Sequence, residues 1–90
     1  MFVITERAAE QFKNSADAVG DDTVSLRISA RISVPGGMKY NMGFDHQKED
    51  DTACEISGIK FLLDPESVKN TKDMLVDFRD FEGAEQFVFL

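Results

Sequence analysis

Apolar and polar residues alternate from Val24 to Phe44, and this alternation predicts a β-hairpin. On the first arm every second residue is apolar: Val24, Leu26, Ile28, Ala30, Ile32 and Val34. Successive side chains of a strand point to opposite faces, so this spacing puts all six on one buried face. The alternation resumes on the second arm with Met38, Tyr40, Met42 and Phe44. Between the arms, Pro35 lacks an amide hydrogen and Gly36 and Gly37 accept positive φ, which predicts the turn.

Helical spacing of apolar residues before the hairpin predicts an amphipathic helix. Thr5 is the expected N-cap, and Glu6 places a carboxylate near the positive end of the helix dipole. The helix is expected to end at Gly20 and to pack against the core, with a partner-binding role as the alternative. Its predicted inward residues are Ala8, Ala9, Phe12, Ala16 and Val19. The apolar residues 1–4 are expected to form a short strand or a tether.

A second hairpin is predicted after the first, followed by a short helix. Cys54 and Ile56 alternate with polar neighbours, and the parity of the alternation changes across Ser57-Gly58, which indicates a two-residue turn. The return strand carries Ile59, Phe61 and Leu63. Asp64 is then an expected N-cap with Pro65 at the first helical position, and the helix is predicted to reach about Lys72.

The last third of the chain predicts two more strands. Met74, Val76 and Phe78 alternate with polar residues, 80–84 reads as a polar loop, and 86–90 reads as a final strand. The segments sum to six or seven short strands and two helices. We therefore predict a mainly β (α+β) fold, a mixed β-sandwich or compact barrel with two packed helices, formed by residues 1–90 as a single domain.

Composition and charge narrow the class of function. The 90 residues include 42% hydrophobic residues, which is typical of a globular domain, and a single cysteine, which excludes an internal disulfide. The formal net charge of −7 disfavours binding to nucleic acid or to anionic membranes. The sequence shows no secretion signal and no apolar run of about 20 residues, which predicts a cytoplasmic protein.

The order of the segments resembles the A-type iron–sulfur carrier family (HesB/IscA-like). The resemblance covers nearly the whole chain. It rests on an Ile-Thr-Glu segment that opens a helix, a long strand, a glycine turn before a tyrosine-bearing strand, a segment that begins with Gly and ends with Asp, and a C-terminal segment with a glycine followed by phenylalanines. In this sequence these are Ile4-Thr5-Glu6, 24–32, Gly37-Met38-Lys39-Tyr40, 58–64 with Pro65 and Ser67, and 83–89. The resemblance implies a HesB-like fold and a role related to iron–sulfur cluster biogenesis.

The chain departs from the family at the positions that bind the cluster. Members of the family carry Cys-Ser-Gly in the turn and Cys-Gly-Cys near the C-terminus, and these thiolates hold the cluster. Here the turn is Pro35-Gly36-Gly37, and the sequence reaches Leu90 without the terminal cysteines. The resemblance thus implies a degenerate member with no cluster as cofactor.

Two other groups of residues are candidate ligands for a metal or cluster. Cys54 points to the same face as Ile56, so we predict that its side chain lies in the core. The alternatives are a thiol with a redox or intermolecular role and a cluster ligand shared between protomers. The segment 45–51 is acidic and contains the only histidine, and its candidate metal ligands are Asp45, His46, Glu49, Asp50 and Asp51. Its spacing matches no known metal loop, so a solvated loop is the favoured interpretation.

No catalytic motif is present in the sequence. His46 has no cysteine or serine nucleophile in a recognisable arrangement, and phosphate-binding or dinucleotide-binding loops are missing, so we predict a protein that is not an enzyme.

The preferred hypothesis is a protein-interaction module. The tip of the first hairpin, where the family presents its cluster, contains Pro35, Gly36, Gly37, Met38, Lys39 and Tyr40. We expect these residues to contact a protein partner or a second copy, as an accessory of cluster assembly, although the glycines could serve the turn alone. The alternative function is an iron or iron–sulfur carrier that uses Cys54 across a protomer interface or the acidic loop.

Overall fold

The computed structural model describes residues 2–33 and 35–90, which form seven strands and two helices in two sheets. The elements are β1 (Val3–Ile4), α1 (Glu6–Val19), β2 (Ser25–Ile32), β3 (Met38–Asp45), β4 (Thr52–Ile56), β5 (Ile59–Leu63), α2 (Pro65–Asn70), β6 (Leu75–Phe81) and β7 (Ala84–Phe89). Met1 and Val34, which the sequence assigned to the first segment and the long strand, lie outside the described residues. The predicted mainly β fold with mixed sheets and two helices is confirmed.

The larger sheet is built on the long hairpin, in the order β3-β2-β5-β4. Strands β2 and β3 are antiparallel over their whole length, from Ser25 opposite Asp45 to Ile32 opposite Met38. Strand β5 pairs with β4 in the predicted second hairpin but runs parallel to β2 for only two residue pairs. Beyond those two pairs β2 and β5 separate, which leaves one edge of β2 open to α2.

The smaller sheet has the order β1-β6-β7, with β1 parallel and β7 antiparallel to β6. The predicted polar loop over 80–84 is wrong, because β6 runs to Phe81 and β7 begins at Ala84. Glu82 and Gly83 both have positive φ, 53° and 86°, so two residues suffice to reverse the chain.

Helix α1 has the predicted caps but a shorter buried face than expected. The Thr5 hydroxyl accepts from the Ala8 amide, and Gly20 ends the helix in the left-handed conformation. Burial stops at Phe12. Ala16 and Val19 are exposed, contrary to prediction, because the C-terminal half of the helix is not covered by a sheet.

Helix α2 fills the space where β2 and β5 separate. Asp64 caps it as predicted, but the helix ends at Asn70, with Thr71 as C-cap, rather than at Lys72. The buried Ser67 hydroxyl accepts a hydrogen bond from the backbone amide of Ala30 at 3.0 Å. The side-chain amide of Asn70 donates to the backbone carbonyl of Ala30 at 2.8 Å. Two side chains of α2 therefore take the place of a neighbouring strand.

The core lies between the sheets under α1 and is centred on aromatic rings. Phe61 contacts Phe2 and Phe12 edge to face, at centroid distances of 5.1 and 5.3 Å, and Phe12 stacks on Phe87 at 4.4 Å. Leu26, Ile28 and Ala30 face inward as the alternation predicted, but Ile32 is 72% exposed, because β2 extends beyond the core. Neither helix is long and apolar enough to cross a membrane.

Candidate functional site

The tip of the β2–β3 hairpin is the first candidate site, and it is an exposed turn. Ser33 donates its amide hydrogen to the Gly37 carbonyl at 2.9 Å, which continues the ladder to the turn. Gly36 and Gly37 have φ of 142° and 123°, as the sequence required. With Pro35 they present backbone and a pyrrolidine ring to solvent, and no side chain that could ligate a metal.

The six residues predicted for this site do not form one surface. The residues from Pro35 to Lys39 are exposed, with 36% of the Met38 surface accessible to solvent. Tyr40 is half buried. The ring of Tyr40 stacks on Phe89 at 4.9 Å and with an interplanar angle of 7°. Tyr40 thereby connects the edge strand of the larger sheet to the last strand of the smaller one.

Cys54 lies in the middle of β4 and is buried. It is 9% exposed and belongs to the same buried cluster as Phe61, its neighbour across the β4–β5 ladder. Burial raises the pKa of the Cys54 thiol, because the apolar surroundings disfavour the thiolate. Ligation and nucleophilic attack both need the thiolate, so this environment works against them.

The acidic segment is organised around Arg27, which donates to two of its carboxylates. The Arg27 Nε lies 2.8 Å from Asp45 Oδ2, and Nη1 lies 2.7 Å from Asp51 Oδ1. The Asp51 side chain is only 1% exposed, so the interpretation as a solvated loop is wrong at this residue. Hydrogen bonds from Arg27 lower the pKa of Asp51 to about 2, helped by the Lys48 amide, and also lower the pKa of Asp45.

The side chains of the other acidic-segment candidates make no contact with the Arg27 guanidinium, which reaches, of these residues, only the backbone carbonyl of His46, at 3.3 Å. His46, Glu49 and Asp50 are exposed, and the His46 Nδ1 lies 3.2 Å from the Thr23 carbonyl oxygen. Among residues 2–33 and 35–90, no three His, Cys, Asp or Glu side chains come together as a metal site would require. The arrangement closes the loop with ion pairs, since Arg27 occupies the position a cation would take.

Sequence reasoning missed the arginines as organising residues. In the sequence Arg27 and Arg31 occupy polar positions of the alternating strand, and the alternation alone predicts no partner for either. In the structure Arg31 pairs with Asp64, the N-cap of α2, and with Glu66 at 2.7 Å. The two arginines on one face of the strand were the available signal, because opposite charges on neighbouring elements stabilise such positions. Which acidic residues they meet depends on the tertiary fold.

Two of three comparisons with known proteins found similar proteins. No family model matches the chain. It is 31% identical over 88 residues to the "Putative iron-sulfur cluster insertion protein ErpA" of Burkholderia cenocepacia (strain HI2424), covering 97% of this chain and 72% of that one.

Two solved structures have a similar fold. The crystal structure of IscA with the [2Fe-2S] cluster matches with a TM-score of 0.73 at 19% identity, over 100% of this chain and 81% of that one. The crystal structure of Escherichia coli SufA, involved in biosynthesis of iron–sulfur clusters, matches with a TM-score of 0.76 at 20% identity, over 99% and 79%. These two likenesses concern the fold alone.

Proposed function

The chain belongs to the A-type iron–sulfur carrier family (HesB/IscA-like), and we propose that it serves iron–sulfur cluster biogenesis as an accessory or protein-interaction module that holds no cluster itself. The observation that carries this proposal is the hairpin tip. Where the family resemblance implies a cysteine, this chain has Pro35-Gly36-Gly37, exposed and without a metal-binding side chain. The hairpin is retained and the thiolate is absent.

The position of Cys54 supports the same proposal. Iron–sulfur clusters are normally held by several cysteine thiolates. Cys54 is the single cysteine of the sequence and lies in the core, where burial raises the pKa of its thiol. A cluster shared between two protomers would need this side chain at a surface, and 9% exposure leaves little of it there.

The alternative carrier function, through the acidic loop, receives less support from the geometry. Hard cations need several oxygen ligands that converge on one point. The carboxylates of Asp45 and Asp51 converge, but on the guanidinium of Arg27. A cation would have to displace this charge before it could bind.

Anaerobic reconstitution with iron and sulfide tests the absence of a cluster. We expect no stoichiometric visible absorption and no iron per protomer, while the Burkholderia relative, treated in parallel, serves as the positive control. Cys54→Ala should behave as the wild type. Stoichiometric colour that disappears in Cys54→Ala would overturn the proposal and favour a shared cluster.

Titration calorimetry against the cluster-loaded relative tests the contact function. We expect binding that weakens several-fold in Met38→Ser, because Met38 is a partly exposed apolar residue beside the tip. Val19→Ser removes an apolar side chain of similar exposure from the far end of α1 and is the matched control. Binding that is equally weakened by both variants, or no binding at all, would contradict a contact surface at the tip.

A further inference from the structure

A groove lies between the C-terminal half of α1 and the larger sheet, at the end of that sheet away from the hairpin tip. It is open to solvent and has a volume of about 210 Å³. Residues 24–26, at the start of β2, line it, whereas the tip follows the other end of β2, where Ile32 pairs with Met38. The groove is therefore separate from the first candidate site.

Apolar side chains form the floor of the groove. Phe12, Leu26 and Ile59 are buried residues of the core that also line the groove, and the half-buried Phe44 lines it with them. An apolar side chain placed on this floor would leave water for an apolar environment, which is the main favourable contribution to most protein association.

The groove stays open because two small residues line it. Ala16 belongs to α1, and Gly58 belongs to the turn between β4 and β5, where an added Cβ would meet no heavy atom within 4 Å. The helical spacing predicted Ala16 on the buried face, but the structure leaves it exposed. Within residues 2–33 and 35–90, α1 thus presents an apolar surface that the larger sheet does not cover.

Two lysines line the groove, Lys13 from α1 and Lys60 from β5. Neither makes an ion pair within the described ranges. The Lys60 Nζ lies 3.0 Å from the neutral Gln47 Oε1, and Glu55, its neighbour across the ladder, stays beyond ion-pair distance. Asp17 also lines the groove, so two positive charges and one negative charge leave it at +1, in a chain with a net charge of −7. The groove therefore favours an occupant that carries carboxylates.

The size of the groove and the placement of its charges favour a protein segment over a small molecule. Pockets for drug-sized ligands have volumes of about 300 to 1,000 Å³, so this groove suits one large side chain. Its two lysines come from different elements, and a chain that crosses the groove can place one carboxylate near each of them. A fatty acid has a single carboxylate and a chain too long for this volume.

We propose that this groove binds an acidic segment of a partner protein, which inserts one leucine or phenylalanine side chain above Phe12 and Ile59 and places carboxylates near Lys13 and Lys60. An apolar anchor in a pocket with polar surroundings is the usual arrangement of an interface hot spot. The inference goes beyond the proposed function and does not rest on it, because the groove follows from the fold whether or not the protein serves cluster assembly.

Fluorescence anisotropy with a labelled peptide, Gly-Asp-Asp-Leu-Asp-Asp-Gly, tests the groove. At about 0.15 M salt, where only nearby charges act on the peptide, we expect a Kd below about 1 mM. The same peptide with serine in place of leucine should bind at least about tenfold more weakly, because it has no apolar anchor. The peptide with lysine in place of every aspartate should not bind.

Variants of the full chain separate the groove from the rest of the surface. Ala16→Phe fills the groove with a side chain of the protein itself and should abolish peptide binding. Ala18→Phe makes the same change at an exposed position of α1 outside the groove and should leave the Kd unchanged. Lys13→Gln and Lys60→Gln should each raise the Kd by about threefold or more, whereas Lys72→Gln, at an exposed residue outside the groove, should not.

Amide chemical shifts of the wild type supply a readout that needs no variant. Addition of the peptide should shift the amide resonances of Ala16, Leu26 and Gly58, whereas Gly36, at the hairpin tip, should not change. No binding, binding that persists in Ala16→Phe, or shifts confined to the tip would overturn the proposal.

Two further outcomes would assign the groove to another occupant and also overturn the proposal. One is binding of decanoate, a fatty acid, under conditions where the peptide does not bind. The other is a dimer in analytical ultracentrifugation that Ala16→Phe abolishes, which would place a second copy in the groove. All of these readouts are separate from iron reconstitution and from the effect of Met38→Ser, so failure of this proposal and failure of the proposed function are distinguishable.

Discussion

Gly36 and Gly37 occupy a region of backbone space that residues with a Cβ rarely adopt. Their φ angles of 142° and 123° lie outside the left-handed helical region as well, in the part of the map used almost only by glycine. A Cβ built at either position meets no heavy atom within 4 Å. The requirement for glycine therefore comes from the backbone alone and not from crowding.

Replacing Gly37 by Val should lower the free energy of unfolding by about 1 kcal/mol or more, because valine must be forced into this conformation. Urea denaturation measures the change. Gly43→Val is the matched control, since Gly43 has an ordinary strand conformation with open space around it and should show little or no loss. An equal loss in both variants would contradict the backbone argument.

Asp51 is a carboxylate whose side chain is almost completely buried, at 1% exposure. Its side chain is buried and hydrogen-bonded to Arg27 and to the Lys48 amide, which lies 2.7 Å away. Removing the Asp51 charge would break the hydrogen bonds between the two charged groups and leave Arg27 without its buried partner, which costs free energy of folding. The pair connects β2 to the loop that leads into β4, so the loop conformation depends on it.

Asp51→Asn should lower the free energy of unfolding by about 1 to 3 kcal/mol at pH 7. The folded-state pKa of Asp51 is about 2, below the ordinary value of 3.8, so its contribution is complete above pH 4 and is lost as the pH falls toward 2. The wild type should therefore lose stability over this window more steeply than Asp51→Asn. Asp50→Asn, at the exposed neighbour, is the control, and parallel acid curves for wild type and Asp51→Asn would refute the assignment.

At the scale of secondary-structure elements, α2 shows how a short helix can replace a strand. Six residues cannot form a stable helix by themselves, so α2 depends on its caps and on its contacts with β2. Ser67 is fully buried and has its hydroxyl on the Ala30 amide, while Arg31 reaches the cap of the helix from the same strand. The helix and the open edge of β2 thus satisfy each other.

Ser67→Ala should lower the free energy of unfolding by about 1 to 3 kcal/mol, because the Ala30 amide would be buried without an acceptor. Thermal denaturation followed by circular dichroism measures the effect. Ser33→Ala removes a hydroxyl from an exposed residue near the end of the same strand and should be nearly neutral. A neutral Ser67→Ala would show that another group reaches the amide.

At the scale of the whole molecule, Phe12 joins the parts that the chain assembles separately. Its ring belongs to α1 and contacts Phe61 of the larger sheet and Phe87 of the smaller one. A domain of this size has a net stability of only about 5 to 13 kcal/mol. One buried aromatic residue at the junction therefore accounts for a large share of it.

Phe12→Ala should lower the free energy of unfolding by about 3 to 5 kcal/mol, with both sheets affected together, since the cavity opens between them. Phe81→Ala, which truncates a ring that is 56% exposed at the end of β6, is the control and should cost far less. Chemical denaturation followed by near-ultraviolet circular dichroism compares the two. Similar losses would show that the junction has no special role.

The sequence alone determined the elements and the faces that depend on local pattern. Alternation identified both strands of the first two hairpins, and the glycine, proline and capping residues identified their turns and the helix starts, because these depend on neighbours in the chain. The lack of thiolates at the tip and the inward position of Cys54 followed from the same local pattern. Ile32 and Val19 were placed wrongly because an apolar pattern does not show where the opposite layer ends.

Only the tertiary structure decided which distant residues meet. Arg27 lies 18 and 24 residues before the carboxylates it binds, and Ala30 lies 37 residues before the hydroxyl that accepts from its amide. Such partners depend on sheet order and on the separation of β2 from β5, which no local pattern encodes. The same holds for the open edge of β3, since a strand is an edge only through the absence of a second neighbour.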